Sequence, residues 1–276
     1  MSDRSADLPL GKPTTYRDGY DPGLLCPFPR APKRRELGLA ANLPFAGFDL
    51  WNAYELSWLT PTGKPVVAMA EFRFPLTSPC LVESKSFKLY LNSLNQTRCA
   101  DFDAMAGLLG RDLAAASGAP VKVVLQPLAA FSGTPLTDLP GRCLDDLDVT
   151  IEHYALAPEL LAGAADATQT VAETVHSHLL KSNCLVTRQP DWASVLIRYR
   201  GPRIDPVALL RYLVSYRQHS EFHEQCVERI FVDLLRYCRP AQLTVYARYT
   251  RRGGLDINPF RSNFETDIPN WRLARQ

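Results

Sequence analysis

The sequence predicts an α+β fold of two tandem modules, each an antiparallel sheet covered by two helices. Three observations lead to this prediction. Strand-like stretches occur in adjacent pairs joined by short turns, which argues against a doubly wound parallel sheet. Stretches with helical periodicity follow each pair. The second half of the chain then restarts the order of the first half.

The elements of the first half follow from residue periodicity and turn composition. The predicted elements are strands at 54–60 and 66–74, helices around 87–94 and at 101–116, and a strand at 121–125. Pro61–Pro65 contains the proline and glycine typical of a hairpin turn. The first helix has an apolar face at i, i+3, i+4 and i+7, formed by Phe87, Tyr90, Leu91 and Leu94.

The second half is predicted in the same way. Its predicted elements are strands at 174–187 and 193–200, helices at 205–217 and 221–238, and strands at 242–250 and 255–261. The second helix has one apolar face, which includes Val227, Ile230 and Phe231. A turn containing Asp191 joins the first two strands, and Arg252-Gly253-Gly254 is the turn into the last.

The two halves also align weakly with each other. Tyr90–Gln96 matches Tyr212–Gln218. We therefore predict an extended N-terminal segment at 1–45, a first module at 46–165 and a second module at 166–276. Regular structure is expected to begin near Trp51. Serine and lysine cluster only in the first module, and the candidate catalytic residues lie only in the second. Such complementarity predicts an active site divided between the modules. Residues 129–170 have no assigned role.

Composition limits the class of protein. The chain has 276 residues, 46% hydrophobic and 22% charged, with a net charge of +2. This is a globular balance, and it gives no reason to expect nucleic-acid binding. No apolar run approaches the ~18 residues that a membrane helix needs. Met1–Asp7 lacks an apolar core, so we expect no secretory signal.

The seven cysteines show neither an even count nor CxxC spacing. This argues against a disulfide framework and against a zinc ribbon. We expect reduced thiols in a cytoplasmic protein without a metal, and six of them are interpreted as small apolar residues. The seventh, Cys184, which polar residues precede and Asp191 follows, is considered with the motifs below.

The densest group of hydrogen-bonding side chains is Glu83–Tyr90, which contains two serines and two lysines at a predicted strand-to-helix junction. Together with four later segments, this block resembles the long form of the NADPH-dependent 7-cyano-7-deazaguanine reductases, the QueF-type nitrile reductases of queuosine biosynthesis. The likeness covers nearly the whole chain. The later segments, in order, are Ser182–Cys184, Pro190–Trp192, Phe222–Glu224 and Arg251–Asp256.

The resemblance implies a fold, a reaction and an assembly. It implies the tunnelling fold, in which two strands, two helices and two strands follow in order. It implies reduction of the nitrile of 7-cyano-7-deazaguanine to an aminomethyl group, a four-electron change that uses two NADPH. A cytoplasmic homodimer is implied by the long form. Water must be excluded, because it would hydrolyse the intermediate imine.

The resemblance also assigns the covalent chemistry. Cys184 adds to the nitrile carbon and forms a thioimide, and Asp191 supplies the proton to the nitrile nitrogen. His223 and Glu224 bind the substrate, with His223 also assisting proton transfer, and Phe222 stacks on the heterocycle. From the residues alone, an inert thiol is the favoured interpretation of Cys184. Asp191 is then an ordinary turn residue, and Glu224 an acid favoured by the helix dipole.

The block in the first module is assigned to ligand contacts by the same resemblance. Glu83, Ser84 and Lys85 contact the substrate, whereas Lys85 and Ser86 contact NADPH, together with Arg252 and Gly253. A helix start with free N–H groups and lysines suits a phosphate-rich ligand. From the residues alone, the block is also an ordinary solvated helix face, and the Arg-Gly segment an ordinary basic turn.

Three other functions remain open at this point. A thiol hydrolase would use Cys184, His223 and Asp191, but it leaves the serine and lysine block unexplained. A zinc-dependent purine or pterin enzyme of the same fold needs more cysteine and histidine ligands than Cys184 and His223 supply. A purine-binding module without catalysis would bind its ligand even without Cys184.

Overall fold

A computed structural model describes residues 19–39 and 42–276. They form two compact units, each described here by itself. The first unit comprises the described residues up to Lys33, Phe48–Thr134 and Arg251–Asp256; the second comprises those of Arg34–Gly47, Pro135–Thr250 and Ile257–Gln276. The start of the predicted N-terminal segment lies outside the described residues. The expectation that it holds no secretory signal falls on that same stretch. The module boundaries after residues 45 and 165 remain predictions.

Eight helices and strands precede residue 127 in the described part of the chain. They are β1 (Pro27–Pro29), α1 (Ala31–Glu36), β2 (Ala46–Leu59), β3 (Pro65–Pro75), β4 (Cys80–Val82), α2 (Ser84–Ser93), α3 (Phe102–Ser117) and β5 (Lys122–Gln126). β3 pairs antiparallel with both β2 and β5. Regular structure therefore begins well before Trp51, the predicted start. The prediction missed β1 and α1 because this stretch is rich in proline and charge. β1 forms by pairing with the distant β4, which its own residue pattern does not indicate.

The core of the first unit fixes the start of α2. Alternate residues of β3 are buried, including Phe72 and Phe74, as the period of a strand with one covered face requires. Phe87 of α2 packs on both rings and on Trp51, with centroids 5.0, 6.2 and 5.4 Å away. This aromatic cluster anchors the first turn of α2, which carries the serine and lysine block.

The second unit contains the remaining elements. They are β6 (Arg142–Cys143), β7 (Ala165–Asn183), β8 (Pro190–Ile204), α4 (Pro206–Val214), α5 (His223–Cys238), β9 (Gln242–Tyr249) and β10 (Leu255–Ser262). The first two residues of β10 belong to the first unit. β7, β8, β9 and β10 pair antiparallel in sequence order, and β6 adds a short parallel pair to β7. The predicted α+β class, with antiparallel sheets and paired helices, is confirmed.

The β7–β8 hairpin differs from its prediction. β7 starts before residue 174 and ends at Asn183, and β8 begins at Pro190. Asp191 therefore lies in a strand rather than in a turn, and Cys184 lies just beyond a strand rather than inside one. The error arose because Leu185, Val186 and Thr187 continue a strand-like composition into the turn. Backbone hydrogen bonds from Arg188 to the Cys184 carbonyl and from Cys184 to the Gln189 carbonyl close that turn.

The predicted helix at 205–217 is shorter than expected. α4 ends at Val214, and Ser215–Gln218 continues as one turn of 3₁₀ helix. None of the helices in the described residues combines the length and the apolar character needed to cross a bilayer.

Candidate active site

The backbone around Cys184 is held by the segment that leads into α5. The Asn183 N–H donates to the His219 carbonyl at 2.8 Å, and the Glu221 N–H donates to the Asn183 carbonyl at 3.1 Å. These two bonds bring the end of β7 to the start of α5, although some forty residues of chain separate them. Cys184 is 7% exposed. Its thiol is thus largely shielded from water and close to the helix that begins at His223.

Asp191 and His223 form the central polar pair of this region. Oδ2 of Asp191 lies 3.3 Å from Nε2 of His223, and the Asp191 side chain is 4% exposed. Asp191 pairs with Ser182 across the hairpin. The turn that begins at Cys184 joins β7 to β8, so Cys184 and Asp191 lie at the same end of the hairpin.

Tyr249 completes this group, and sequence reasoning missed it. Its ring stacks on the His223 imidazole, with centroids 3.8 Å apart and an interplanar angle of 11°. Tyr249 ends β9, and burial raises the pKa of its phenol well above the ordinary value. The alternation of residues 242–250 places Tyr249 on the apolar face, but nothing in that pattern indicates contact with a histidine.

The first turn of α5 carries the other predicted binding residues. Phe222 is the residue before the helix, and its N–H donates to Oε1 of Gln225 at 3.4 Å. Phe222 is half-buried, whereas Glu224 is buried. The structure therefore places Cys184 and Asp191 at one hairpin end and Phe222, His223 and Glu224 at one helix start, and their roles remain predictions.

A second polar network borders this group and was also missed. Both carboxylate oxygens of Glu221 accept from Arg229, at 2.9 and 3.0 Å, and one accepts from Nε2 of His219 at 2.9 Å. Burial opposes ionisation, but the hydrogen bonds from His219 and Arg229 prevail and lower the pKa of Glu221 to about 2. The network fixes the segment to which Asn183 is bound. The sequence did not predict this ion pair, because Glu221 precedes α5 and Arg229 lies eight residues further along the chain.

An open cleft of about 670 Å³ lies beside the Cys184 turn. Its lining includes Leu185 and the basic side chains of Lys181, Arg188 and Arg217. Nζ of Lys181 donates to the Arg217 carbonyl at 2.6 Å, which orders one wall. Burial lowers the pKa of this ammonium group.

In the first unit, Glu83 caps α2. Its two oxygens accept from the N–H groups of Lys85 and Ser86, each at 2.8 Å. Burial raises the pKa of the Glu83 carboxyl, although these bonds oppose the rise. The expectation that this helix start offers free N–H groups to a phosphate is wrong for Lys85 and Ser86, because the carboxylate already accepts from both.

The remaining side chains of the block differ in accessibility. The Ser86 hydroxyl is buried; it donates to the Glu83 carbonyl at 2.6 Å and accepts from the Cys26 N–H at 3.0 Å. Ser84 and Lys85 are half-buried. The Ser84 hydroxyl donates to Oε1 of Glu83 at 3.4 Å, and the Ser86 hydroxyl serves the local fold.

The Arg-Gly turn lies in the same unit as α2. Gly253 and Gly254 have φ of 60° and 77°, so the turn needs residues without a Cβ. A side chain at Gly253 would collide with Lys88, so turn and helix are in contact. Arg252 closes the turn, with its N–H donating to the Leu255 carbonyl at 2.8 Å.

Asp256, a motif residue without a predicted role, anchors this turn. It accepts from Nδ2 of Asn52 at 2.8 Å and from the Tyr54 hydroxyl. The guanidinium of Arg251 lies over the Tyr54 ring, 4.8 Å from its centroid. The basic turn is therefore held firmly against β2, and its two arginines are set beside the start of β10.

Comparisons with known proteins identify the family. A family model described as nitrile reductase, 7-cyano-7-deazaguanine reductase N-terminal, matches residues 16–125, and a model described as QueF-like protein matches residues 190–267. The unit that contains α2 and the unit that contains the Cys184 hairpin thus each carry a family match.

Relatives match over nearly the full length. The chain is 59% identical over 270 residues to the NADPH-dependent 7-cyano-7-deazaguanine reductase of Chromobacterium violaceum, covering 97% of this chain and 96% of that protein. It is 59% identical over 272 residues to the protein of the same name from Bordetella parapertussis, covering 98% and 99%. The crystal structure of an apo archaeosine synthase described as QueF-Like gives a TM-score of 0.28 at 17% identity, over 36% of this chain and 96% of that one.

An α+β fold of antiparallel sheets, with a family match in each unit, defines the class of the nitrile reductases. Within that class, the chain belongs to the family of the 7-cyano-7-deazaguanine nitrile reductases. The resemblance inferred from the sequence motifs is confirmed.

Proposed function

We propose that this chain reduces the nitrile of 7-cyano-7-deazaguanine to the 7-aminomethyl group with NADPH, as the names of its relatives describe for those proteins. The activity is that of an oxidoreductase and belongs to the modification of tRNA with queuosine. The observation that carries the proposal is the Asp191–His223 pair, 3.3 Å apart, with Asp191 at the end of the hairpin that the Cys184 turn closes.

Cys184 acts as the nucleophile in this proposal. Its sulfur forms a bond to the nitrile carbon, and one π bond of the nitrile breaks as its electron pair moves to nitrogen. The thiol proton passes by way of the Asp191 carboxyl to that nitrogen, and the product is a neutral thioimide. Thiol and nitrile together contain all atoms of the adduct, so this step needs no oxidant or reductant. Shielding of Cys184 and Asp191 from water favours it, since water would otherwise solvate the thiolate.

His223 has two roles in the proposal. It holds Asp191 by a contact to Nε2, and it can return a proton to the acid after each transfer. The Glu224 carboxylate pairs with the amide and amino donors of the deazaguanine ring, in a bidentate manner that rejects rings lacking those donors. Phe222 stacks on the ring, and Glu83, Ser84 and Lys85 supply further contacts.

The residues of the first unit fit a dinucleotide phosphate as cofactor. Lys85 and Arg252 supply positive charge, and Gly253 permits the positive φ that shapes the basic turn. NADPH supplies a hydride when bound, and four electrons require two such molecules. Ser86 belongs to the proposed cofactor contacts, but its hydroxyl is already bonded at both ends.

Assembly and location complete the proposal. We propose a homodimer in the cytoplasm that binds no nucleic acid directly. The net charge of +2 supports the last point, because no excess of positive charge is available for a phosphate backbone. Light scattering after gel filtration measures the mass of the assembly, and a monomer would contradict the dimer.

Intact mass spectrometry tests the function. Without NADPH, the nitrile should add one ligand mass to the protein, and peptide mapping should locate it on Cys184. The Cys184→Ala variant should gain no mass, whereas Cys99→Ser, a matched control in the first unit, should gain it normally. With NADPH added, the adduct should disappear as absorbance of NADPH falls. An unmodified Cys184 peptide, together with unchanged NADPH, would overturn the proposal.

A further inference from the structure

We propose that Cys143, His176 and His178 form a zinc site that fastens the β6 segment to β7. Sulfur and one ring nitrogen from each histidine lie within 4.8 Å of one another in this group. All three residues belong to the second unit, and none takes part in the chemistry proposed above. The site gives a role to the stretch around β6, which the sequence left unexplained.

Strand pairing brings the three side chains together. Cys143 lies directly opposite His176 in the parallel pair of β6 and β7, and the Leu144 N–H donates to the His176 carbonyl at 2.9 Å. His178 is two residues further along β7, where the register shifts between Ser177 and Leu180. Such a bulge turns a side chain out of its regular direction.

Gly141 sets the position of the cysteine. It has a φ of 89°, and a side chain there would collide with the Thr174 carbonyl. The close approach of this segment to β7 therefore requires glycine two residues before Cys143. The sulfur is held by the backbone rather than by a flexible loop.

His176 and His178 each make a hydrogen bond through Nδ1, which leaves Nε2 of each imidazole available to bind a metal. Nδ1 of His176 lies 3.2 Å from the Pro140 carbonyl, which can only accept, so Nδ1 carries the proton and Nε2 has the lone pair. Nδ1 of His178 lies 2.7 Å from the Ser194 hydroxyl. A carbonyl or hydroxyl behind the ring is the usual outer support of a metal-binding histidine.

Charge around the site also suits a cation. The carboxylate of Asp145 accepts from the Ser177 hydroxyl at 2.6 Å and from the His178 N–H at 2.9 Å, which fixes an acid beside the two rings. One thiolate and two imidazoles are the ligand types that zinc prefers. Neighbouring ligand atoms in such a site are about 3.5 Å apart, so small side-chain movements suffice to close this one.

A second group of metal-binding residue types is less suitable. His219, Glu221 and Cys226 also lie within 4.8 Å of one another. The oxygens of Glu221, however, accept hydrogen bonds from Arg229 and His219. A metal there would have to displace a buried ion pair. The group on β6 and β7 involves no such competition, and it departs from the sequence-based expectation of a metal-free protein.

Metal analysis of the full chain tests the site. Protein stripped with chelator and dialysed against zinc chloride should retain about one zinc per chain. Cys143→Ser and His176→Val should bind zinc at least about tenfold more weakly, the smallest loss that even outer-shell changes produce. Cys99→Ser and Cys184→Ser, as matched cysteine controls, should bind as the parent does.

Cobalt provides a second readout that does not depend on activity. Co²⁺ added to the stripped protein should give a sulfur-to-metal charge-transfer band, absent in Cys143→Ser. Zinc should also raise the thermal midpoint of the parent but not of His176→Val, whose valine suits a strand. Failure of the unaltered chain to retain zinc would overturn the proposal, and so would unchanged affinity in Cys143→Ser.

Discussion

The imidazole of His223 lies flat on the ring of Tyr249, 3.8 Å between centroids, while its Nε2 faces Asp191 at 3.3 Å. One contact fixes the plane of the imidazole, and the other fixes its direction within that plane. Tyr249 is fully buried, so the stack does not depend on a mobile side chain.

We expect Tyr249 to act as a positioning residue for His223. Tyr249→Leu removes the stacking surface, and kcat should fall about tenfold. The loss should be only partial, because acid–base catalysis as a whole contributes ~10²–10⁴-fold and His223 itself remains. The pH profile of kcat should shift as well, since the imidazole loses its fixed environment. Tyr249→Phe keeps the ring and should restore both. Equal losses in the two variants would show that the hydroxyl, rather than the stack, matters.

Replacement of Asp191 by Asn should separate chemistry from binding. The amide occupies the same space but cannot supply the proton to the nitrile nitrogen, so turnover should fall ~10²–10⁴-fold. Non-covalent binding of the aminomethyl product should stay largely intact in a titration. Turnover at the rate of the parent would remove Asp191 as the acid.

The ionised Glu221 should make the free energy of unfolding depend on pH in the acid range. Its pKa falls from 4.5 to about 2 on folding, so its contribution is fully present above pH 4.5 and is lost as the pH falls toward 2. Glu221→Gln leaves Arg229 without a charged partner and should lower the free energy of unfolding by ~3 kcal/mol at pH 7. Urea unfolding of parent and variant should show the difference narrowing below pH 4.5. Glu152→Gln, an exposed acid, should show no such trend.

Glu83 should show both a structural and a binding effect. Glu83→Ala removes the cap of α2 and should cost ~1 kcal/mol in unfolding experiments, whereas Glu83→Gln keeps an acceptor and should cost less. If Glu83 also recognises the substrate, KM for the nitrile should rise in both variants. A loss of stability with KM unchanged would leave Glu83 as a cap alone.

Ser86 and Lys85 should respond differently to removal. The Ser86 hydroxyl is buried and bonded to the Glu83 carbonyl, so Ser86→Ala should lower stability by ~1–2 kcal/mol with little change in KM for NADPH. Lys85 carries the positive charge assigned to a cofactor phosphate, so Lys85→Ala should raise that KM more than it lowers stability. A raised KM in a stably folded Ser86→Ala would instead support its assignment to the cofactor.

Much of this protein follows from the sequence alone. The period of three to four in residues 87–94 and the alternation in 66–74 predicted α2 and β3, because each element must bury one face. The family motifs led to the predicted roles of Cys184, Asp191 and His223. Five short segments in the right order carried the resemblance, and the first, Glu83–Tyr90, holds more hydrogen-bonding residues than an ordinary helix start needs.

Only the tertiary structure decided which distant residues meet. Tyr249 lies on His223, Arg229 binds Glu221, and Cys143 lies opposite His176, and none of these pairs follows a local period. The turn at Cys184 also depends on the fold: local composition favoured a longer strand, but bonds to the chain before α5 ended it at Asn183. Periodicity reports which face of an element is buried, whereas the partner on that face depends on how the elements pack.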